Sequence, residues 1–252
     1  MTFAVIDDEG TTAKAIAGTP FTDPEYTGKE YALEDVRLLA PTLPSKVVAV
    51  GRNYADHVAE VFKQSSEHLP PTIFIKPSTA VVGPGAAIKI PEYATGVEFE
   101  GELALVVGVP CKNVKAADWK SVIRGVTIIN DVSSRDLQFA DGQWARAKGI
   151  DTFGPIGPWI ETDLEKFDFA NLPIKAHHTH NGVTETKQDS NSNQMIKSVG
   201  EMVEWVSESF TLLPGDVIAT GSPAGTAEML PGDHIEVEIP GIGKLGNPVE
   251  RA

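Results

Sequence analysis

Three glutamates stand at every second position of the stretch GVEFEGELALVVG, residues 96–108, just before a fully apolar run. Alternate side chains of an extended strand share a face, so Glu98, Glu100 and Glu102 are predicted to project together. A solvated strand face is one interpretation. However, the strand continues as the buried run LALVVG, and a second apolar strand, GVTIIND, ends in Asp131. Two glutamates and this aspartate would offer the oxygen ligands that Mg²⁺ or Mn²⁺ takes.

A second polar pair lies upstream, in the stretch VAVGRNYADHVAEV. His57 and Glu60 are three residues apart and therefore neighbours on a helix predicted from about Tyr54 to His68. One interpretation is an ordinary exposed pair. The other is water activation, in which the carboxylate orients the imidazole and supports its charge when it takes a proton. A short helix after Gly51 could also close over a substrate as a lid.

The chain beyond the second acidic strand concentrates further polar residues. Those of the stretch NDVSSRDLQ include Asn130, Arg135, Asp136 and Gln138. The stretch WARAKGIDTFGP then places Lys148 and Thr152 in a loop punctuated by glycine. A lone lysine in a loop is usually a solvated charge. Beside a metal and an anionic substrate, Lys148 would instead stabilise the negative charge that develops during a reaction.

The elements that position these residues are mostly strands. Apolar or β-branched runs bounded by Gly and Pro predict strands at KVVAVG, PTIFIKP, AVVGPG, LALVVGV, GVTIIND, IGPWIET, DVIAT and HIEVEIPGIGKL. A second helix is predicted from about Met195 to Ser209. Strands without regular strand–helix alternation predict a mainly β (α+β) fold with few helices. Residues 1–45 are predicted to form a small N-terminal domain, and residues 46–252 the main domain.

Composition narrows the possible partners and the compartment. The formal net charge of −14 argues against nucleic acid and anionic membrane as partners. The single cysteine, Cys111, excludes an intrachain disulfide framework and suits a reducing cytoplasm. Residues 1–10 lack the pattern of a signal peptide, and no apolar stretch approaches bilayer length. The chain is therefore expected to be soluble and cytoplasmic.

Three histidines cluster before a turn signal. His177, His178 and His180 precede Asn181-Gly182, a pair typical of a β-hairpin turn. His178 and His180 would share one strand face, so a second metal site is an alternative there. The hairpin pattern favours a solvent-facing role instead.

Six stretches, in chain order, carry a resemblance to a known family. They are VGRNYADH, FIKPSTAVVGPG, VEFEGELALVVG, INDVSSRD, AKGIDTFGPIGPW and IATGSPAGT. From about Lys46 to its end the chain is similar to the fumarylacetoacetate hydrolase family, most closely to the bacterial oxaloacetate decarboxylases and acylpyruvate hydrolases in it. The resemblance implies a rolled mixed β-sandwich with few helices and a small N-terminal domain, usually as a homodimer.

The same resemblance assigns roles to individual residues. It implies Mg²⁺ or Mn²⁺ on Glu100, Glu102 and Asp131, but not on Glu98. His57 and Glu60 match the water-activating pair, and Lys148 matches a lysine beside the metal. The substrate-binding positions that it implies are Arg52, Gln138, Thr152 and Ser222.

The implied chemistry is metal-dependent C–C bond cleavage of a small 2-oxo acid. We expect decarboxylation of oxaloacetate to pyruvate. In the same pocket, the alternatives are hydrolysis of an acylpyruvate or fumarylpyruvate and isomerisation of 2-hydroxyhepta-2,4-diene-1,7-dioate. The expected partner is thus a small 2-oxo acid or diacid. A non-enzymatic alternative is a divalent-ion-binding interaction module.

Overall fold

Strands make up most of the regular structure in the computed structural model, which describes residues 1–7 and 9–252. The strands are β1 (Phe3–Ile6), β2 (Thr12–Ala17), β3 (Glu25–Ala32), β4 (Lys46–Gly51), β5 (Thr72–Pro77), β6 (Val81–Val82), β7 (Ile88–Ile90), β8 (Val97–Glu98), β9 (Gly101–Val107), β10 (Ile123–Asn130), β11 (Ser133–Ser134), β12 (Gly154–Glu161), β13 (Pro173–His180), β14 (Val183–Asn191), β15 (Val217–Ala219), β16 (His234–Ile239) and β17 (Gly243–Arg251). The predicted mainly β fold is confirmed.

The helices are short and few. Within the described residues, the α-helices are α1 (Ala55–Phe62), α2 (Arg135–Asp141), α3 (Ala145–Lys148) and α4 (Val199–Ser209). The 3₁₀ helices are Leu33–Asp35, Ser78–Ala80, Ala116–Ser121, Leu164–Lys166 and Ser192–Gln194. No helix in the described part of the chain is long and apolar enough to cross a bilayer.

Both predicted helices are shorter than the sequence pattern indicated. Helix α1 ends at Phe62 because Lys63 adopts a left-handed conformation, φ 53°, and the polar and proline-containing residues after it do not continue the apolar stripe. Helix α4 begins at Val199 because Ser198 and Glu201 form a capping box. Before it, Met195 instead makes an isolated β-bridge with Tyr54.

Helices α2 and α3 were not predicted, and the segment carrying Lys148 was expected to be a loop. Their lengths of seven and four residues are too short for a periodic apolar pattern to show in the sequence.

Two mixed sheets form the main body. One has the strand order β5-β4-β15-β9-β10-β12-β6, and the other has the order β14-β13-β16-β17-β7. Strands β9, β10 and β12 of the first sheet contact β13, β16 and β17 of the second. One apolar core lies between them and includes Leu103, Ile128 and Val237, each with no exposed surface. Burying each such side chain contributes about 1.5–3 kcal/mol.

The second sheet packs closely against Gly101, the first residue of β9. A Cβ atom there would lie 2.8 Å from a methyl carbon of Val237 and 3.1 Å from the side-chain oxygen of Gln188. Only glycine fits this contact without displacing a neighbour. The position matters because Gly101 separates Glu100 from Glu102.

A separate small sheet of order β1-β2-β3 lies within residues 1–45, and β4 begins at Lys46. Strand β3 is exposed along its whole length.

The predicted hairpin at the three histidines is confirmed. Strands β13 and β14 pair antiparallel and are joined by Asn181 and Gly182, with φ of 50° and 77°. Positive φ at both central residues is the geometry that favours Asn-Gly.

Candidate metal centre and its surroundings

Three buried carboxylates meet where β9 begins and β10 ends. The register pairs Ile129 with Glu102 and Asn130 with Gly101, so Asp131, the next residue, lies beside Glu100 and donates its backbone N–H to the Glu100 carbonyl at 2.8 Å. Glu100, Glu102 and Asp131 are exposed by only 4%, 2% and 1%. Each offers one oxygen within 4.8 Å of the others. The structure thus brings together the three residues that the family resemblance implied as metal ligands.

Glu98 lies apart from this cluster because the predicted continuous strand is interrupted. Strand β8 ends at Glu98, and β9 starts only at Gly101. The Glu98 carboxylate accepts hydrogen bonds from Arg135 Nε at 2.8 Å and from the Thr226 hydroxyl at 2.8 Å. The prediction that all three glutamates share one strand face is therefore wrong.

Two lysines contact the carboxylate cluster from its buried side. Lys148 Nζ donates to Glu100 Oε2 at 2.7 Å, to Asp131 Oδ2 at 2.8 Å and to the Ser133 hydroxyl at 2.6 Å. Lys76 Nζ donates to the other Asp131 oxygen at 2.6 Å. Both lysines are almost fully buried. Sequence reasoning missed Lys76 as a site residue, although a lysine inside the apolar strand FIKP was an available signal.

Arg135 is a further site residue that the sequence interpretation did not select. Its Nη1 lies 2.6 Å from Glu100 Oε1 and donates to Gln138 Oε1 at 2.9 Å. Arg135 and Gln138 lie one turn apart at the start of α2, and both are buried. The arginine therefore links Gln138, a predicted substrate-binding residue, to the cluster.

The charges within the cluster are unevenly balanced. Burial alone would favour protonated Glu100, but the positive charges of Lys148 and Arg135 outweigh it and hold the pKa of Glu100 well below its usual range. Burial, followed by the negative charges of Asp131 and Glu100, raises the pKa of Glu102 well above its usual range. The Glu102 carboxylate accepts a hydrogen bond from the Gly221 backbone N–H at 2.7 Å. In the described chain, no side-chain cation lies within 4.0 Å of it.

This donor set fits a hard divalent cation. Its ligand atoms are all carboxylate oxygens, which Mg²⁺ and Mn²⁺ prefer. A bound cation would also supply the positive charge that the Glu102 carboxylate lacks. Each carboxylate has about four lone-pair positions, so the hydrogen bonds to the lysines leave capacity for a metal.

His57 and Glu60 lie on α1, at the rim of the cluster. His57 Nδ1 is 3.6 Å from Glu60 Oε2, and His57 Nε2 is 3.7 Å from Glu100 Oε1. These distances exceed hydrogen-bond length, so the contacts are electrostatic. The Glu60 carboxylate accepts the Gly225 backbone N–H at 3.0 and 3.1 Å. Glu60 thereby joins α1 to the loop 220–226.

Arg52 lies against aromatic rings, one of which Lys148 also approaches. Its guanidinium carbon is 5.5 Å from the Trp144 ring centre and 6.0 Å from that of Phe62, and Lys148 Nζ is 5.8 Å from the same Trp144 ring. The Arg52 Nε is buried without a hydrogen-bond partner. Burial lowers the pKa of Arg52. No carboxylate lies within ion-pair distance of Arg52 in residues 1–7 and 9–252.

Thr152 and Ser222, two predicted substrate-binding residues, are engaged in contacts within the fold. The Thr152 hydroxyl accepts the Lys89 backbone N–H at 2.8 Å. The Ser222 hydroxyl accepts a hydrogen bond from Gln188 Nε2 at 2.8 Å. Gln188 Oε1 in turn accepts the Gly101 backbone N–H at 2.9 Å. The buried Gln188, which sequence reasoning missed, therefore connects Ser222 to the backbone between two cluster glutamates.

Comparison with protein-family models matches most of the chain to one family. The model described as "Fumarylacetoacetate (FAA) hydrolase C-terminal" matches residues 46–250. A second model, described as "Rv2993c-like, N-terminal", matches residues 1–41.

Two curated relatives illustrate the range of sequence identity and coverage. Protein Rv2993c of Mycobacterium tuberculosis is 51% identical over 254 residues, covering 99% of this chain and 94% of its own length. The mitochondrial oxaloacetate tautomerase Fahd2a of Rattus norvegicus is 39% identical over 223 residues, covering 85% of this chain and 69% of its own length.

Solved structures agree with the fold. The crystal structure of Cg1458 with inhibitor is 74% identical, has a TM-score of 0.95 and covers 96% of this chain and 90% of its own. The 5-carboxymethyl-2-hydroxymuconate delta-isomerase of Mycobacterium smegmatis is 47% identical, with a TM-score of 0.89 and coverage of 100% and 95%. The maleylpyruvate hydrolase of Sphingobium sp. SYK-6, in complex with manganese (II) ion and pyruvate, is 30% identical, with a TM-score of 0.74 and coverage of 89% and 77%.

Proposed function

The chain belongs to the fumarylacetoacetate hydrolase family, and we propose that it acts on a small 2-oxo diacid with the help of Mg²⁺ or Mn²⁺, decarboxylating oxaloacetate to pyruvate. The observation that carries this proposal is the buried cluster of Glu100, Glu102 and Asp131, whose oxygens lie within 4.8 Å of one another. The manganese and pyruvate bound to the maleylpyruvate hydrolase relative support the same metal and substrate class.

Glu100, Glu102 and Asp131 would hold the cation. When bound, it supplies a Lewis acid that withdraws electrons from the 2-oxo group of the substrate. Lys148 positions two of these ligands through its bonds to Glu100 and Asp131, and Lys76 fixes the second oxygen of Asp131. The chain thus holds the carboxylates in place before any substrate arrives, which lowers the reorganisation needed during reaction.

Arg52 supports a substrate with two carboxylates. Its guanidinium is half-buried, has an unpartnered Nε, and shares the Trp144 ring with Lys148. In our proposal Arg52 receives the carboxylate that is remote from the 2-oxo group, because a planar guanidinium matches carboxylate geometry. Gln138, whose side-chain oxygen accepts a hydrogen bond from Arg135, would orient the substrate from helix α2. Thr152 and Ser222 complete the proposed pocket positions.

The reaction that we propose breaks the C3–C4 bond of oxaloacetate. CO₂ leaves, the bonding electron pair forms the enolate of pyruvate, and a proton is then added at C3. His57 Nε2 faces the cluster, 3.7 Å from Glu100 Oε1, and is the ring nitrogen from which that proton can be transferred. Glu60 supports the imidazole through Nδ1 and keeps α1 against the loop 220–226.

The His57–Glu60 pair favours a second candidate, hydrolysis of an acylpyruvate. There, His57 Nε2 would take a proton from water, the hydroxide would attack C4, and the C3–C4 bond would break to give a carboxylic acid and the enolate of pyruvate. Glu60, 3.6 Å from Nδ1, would stabilise the resulting imidazolium. Both reactions pass through the same enolate, so one pocket accommodates either.

Pyruvate formation from oxaloacetate tests the proposal. Protein is incubated with Mn²⁺ or Mg²⁺, with and without chelator, and pyruvate and the keto–enol ratio of oxaloacetate are followed together against a metal-only background. We expect pyruvate above that background, abolished by chelator and by Glu102→Gln but not by the exposed control Glu92→Gln.

Other outcomes of the same assay separate the alternatives. Faster keto–enol conversion without pyruvate would favour a tautomerase like the rat relative. Parallel incubations with acylpyruvates and with 2-hydroxyhepta-2,4-diene-1,7-dioate test hydrolysis and isomerisation. No turnover of any of these substrates would favour a divalent-ion-binding interaction module.

A further inference from the structure

A second group of metal-ligating side chains lies on the other sheet, at the end of the β13–β14 hairpin. His178 Nε2 is 2.8 Å from Asp233 Oδ2, and His180 Nδ1 is 2.7 Å from Asp233 Oδ1. One ligand atom from each of the three residues lies within 4.8 Å of the others. Asp233 and His178 are only 3% and 8% exposed.

The fold holds these three residues together independently of any ligand. His178 and His180 are two apart on β13 and therefore share a face. Because the β13–β16 register pairs Thr179 with His234, the next positions along the pair are His180 and Asp233. The Leu230 backbone N–H donates to Asp233 Oδ2 at 2.8 Å and fixes the carboxylate.

We propose that His178, His180 and Asp233 form a second metal site, selective for a borderline transition ion such as Zn²⁺. Two imidazoles and one carboxylate are a ligand set that Zn²⁺ takes readily, whereas Mg²⁺ prefers oxygen alone. The side chain of His180 is 47% exposed, so the remaining coordination positions face the solvent. This chemistry separates the site from the all-oxygen cluster.

Proton positions are compatible with metal binding. The two imidazole nitrogens that face Asp233 must release their protons, and each neutral ring can carry its proton on the other nitrogen. At His180 that other nitrogen, Nε2, lies 2.9 Å from the Asn181 side-chain amide. A rotated amide presents its oxygen there and can accept the relocated proton.

The neighbouring group of His177, Glu236 and Glu238 is less suited to a metal. His177 lies near Glu236 and Glu238, but Lys244 Nζ is already 2.7 Å from Glu236 and 3.3 Å from Glu238. His177 Nδ1 also makes a hydrogen bond with the Thr186 hydroxyl, at 2.9 Å. At Asp233, by contrast, the ion-pair partners within the described residues are the two imidazoles alone.

Zn²⁺ binding in the presence of saturating Mg²⁺ tests the site without any measurement of activity. Excess Mg²⁺ occupies or competes for the all-oxygen cluster, and equilibrium dialysis then measures Zn²⁺ per chain. We expect one Zn²⁺ per chain, and at least a ~10-fold weaker affinity in His178→Ala and in His180→Ala. His177→Ala, next to them on the same strand, is the matched control and should bind like the unmodified chain.

Three results would overturn the proposal. They are no Zn²⁺ bound to the unmodified chain at saturating Mg²⁺, equal Zn²⁺ affinity in His180→Ala and the unmodified chain, or a loss of Zn²⁺ affinity in His177→Ala as large as in His180→Ala. If the buried His178→Ala variant does not fold, the exposed His180 position alone decides. Because the readout is Zn²⁺ binding, failure here leaves the proposed oxaloacetate chemistry untouched, and failure of that chemistry leaves this site untouched.

Discussion

Replacing Glu60 with Gln removes one negative charge beside His57 while retaining a side-chain oxygen that can accept the Gly225 N–H. Replacing it with Ala removes both the charge and this anchor. The two variants therefore separate an electrostatic role of Glu60 from a role in holding α1 against the loop 220–226. Hydrolysis requires an imidazolium to form at His57 when water is deprotonated, whereas decarboxylation requires no activated water.

The distance of 3.6 Å between His57 Nδ1 and Glu60 Oε2 sets the expected magnitude. At an effective dielectric constant of about 20, two unit charges at this distance attract by about 4–5 kcal/mol. The Glu60 side chain is 36% exposed, so solvent screening reduces this to about half, or about 2–3 kcal/mol. At about 1.4 kcal/mol per tenfold change, Glu60→Gln should slow acylpyruvate hydrolysis by about 10²-fold.

Parallel steady-state kinetics on an acylpyruvate and on oxaloacetate checks this reasoning. Glu60→Gln should slow hydrolysis by the factor above and change decarboxylation by less than about tenfold, whereas Glu60→Ala should slow both because it also releases α1. An equal proportional loss on both substrates in Glu60→Gln would refute the water-activating role. Absence of acylpyruvate hydrolysis in the unmodified chain would refute it as well.

Three further predictions concern stability and assembly. Lys148→Met should lower the metal-free free energy of unfolding by about 3–5 kcal/mol in denaturant titrations, because it leaves buried Glu100 and Asp131 without their shared cation; an unchanged value would contradict the assigned contacts. Burial opposes a lower pKa at Asp216, but hydrogen bonding and charge from Lys46 outweigh it and lower the pKa. The contribution of Asp216 to stability is therefore complete above its unfolded pKa of about 3.9 and is lost as pH falls through its folded pKa. Asp216→Asn should therefore destabilise the chain at pH 7 by about 2–3 kcal/mol, with the difference vanishing in acid; a pH-independent difference would argue against it. Light scattering at micromolar concentration should show a homodimer, as the family resemblance implies, and a monomer would contradict it.

Strand periodicity and strand ends are local properties, so the sequence predicted acidic side chains at the start of one apolar strand and at the end of another. The family resemblance then implied Glu100, Glu102 and Asp131 as the ligands, and the structure places one oxygen of each within 4.8 Å of the others. The break between β8 and β9 was not predictable in this way. It arises because Glu98 pairs with Arg135 and Thr226, residues 37 and 128 positions further along the chain.

The remaining errors also come from contacts between distant segments. Lys76 reaches Asp131 across 55 residues, although its place inside the apolar strand FIKP was a local signal. Gln188 reaches Gly101 across 87 residues, and no local pattern marks it as a site residue. The start of α4 is different, since the capping box at Ser198 and Glu201 is a local signal that was present in the sequence. The apolar stripe from Met195 concealed it.

Calorimetric titration with Mn²⁺ tests whether Glu100, Glu102 and Asp131 form the centre for a hard cation. Glu102→Gln is the informative variant, because it removes a carboxylate already crowded by like charges and should leave the metal-free fold intact. We expect about one Mn²⁺ per chain and at least a ~10-fold loss of affinity in Glu102→Gln, whereas Glu98→Gln and His180→Ala should bind Mn²⁺ like the unmodified chain. Absence of Mn²⁺ binding, or equal affinity in Glu102→Gln and Glu98→Gln, would contradict this assignment of the metal ligands.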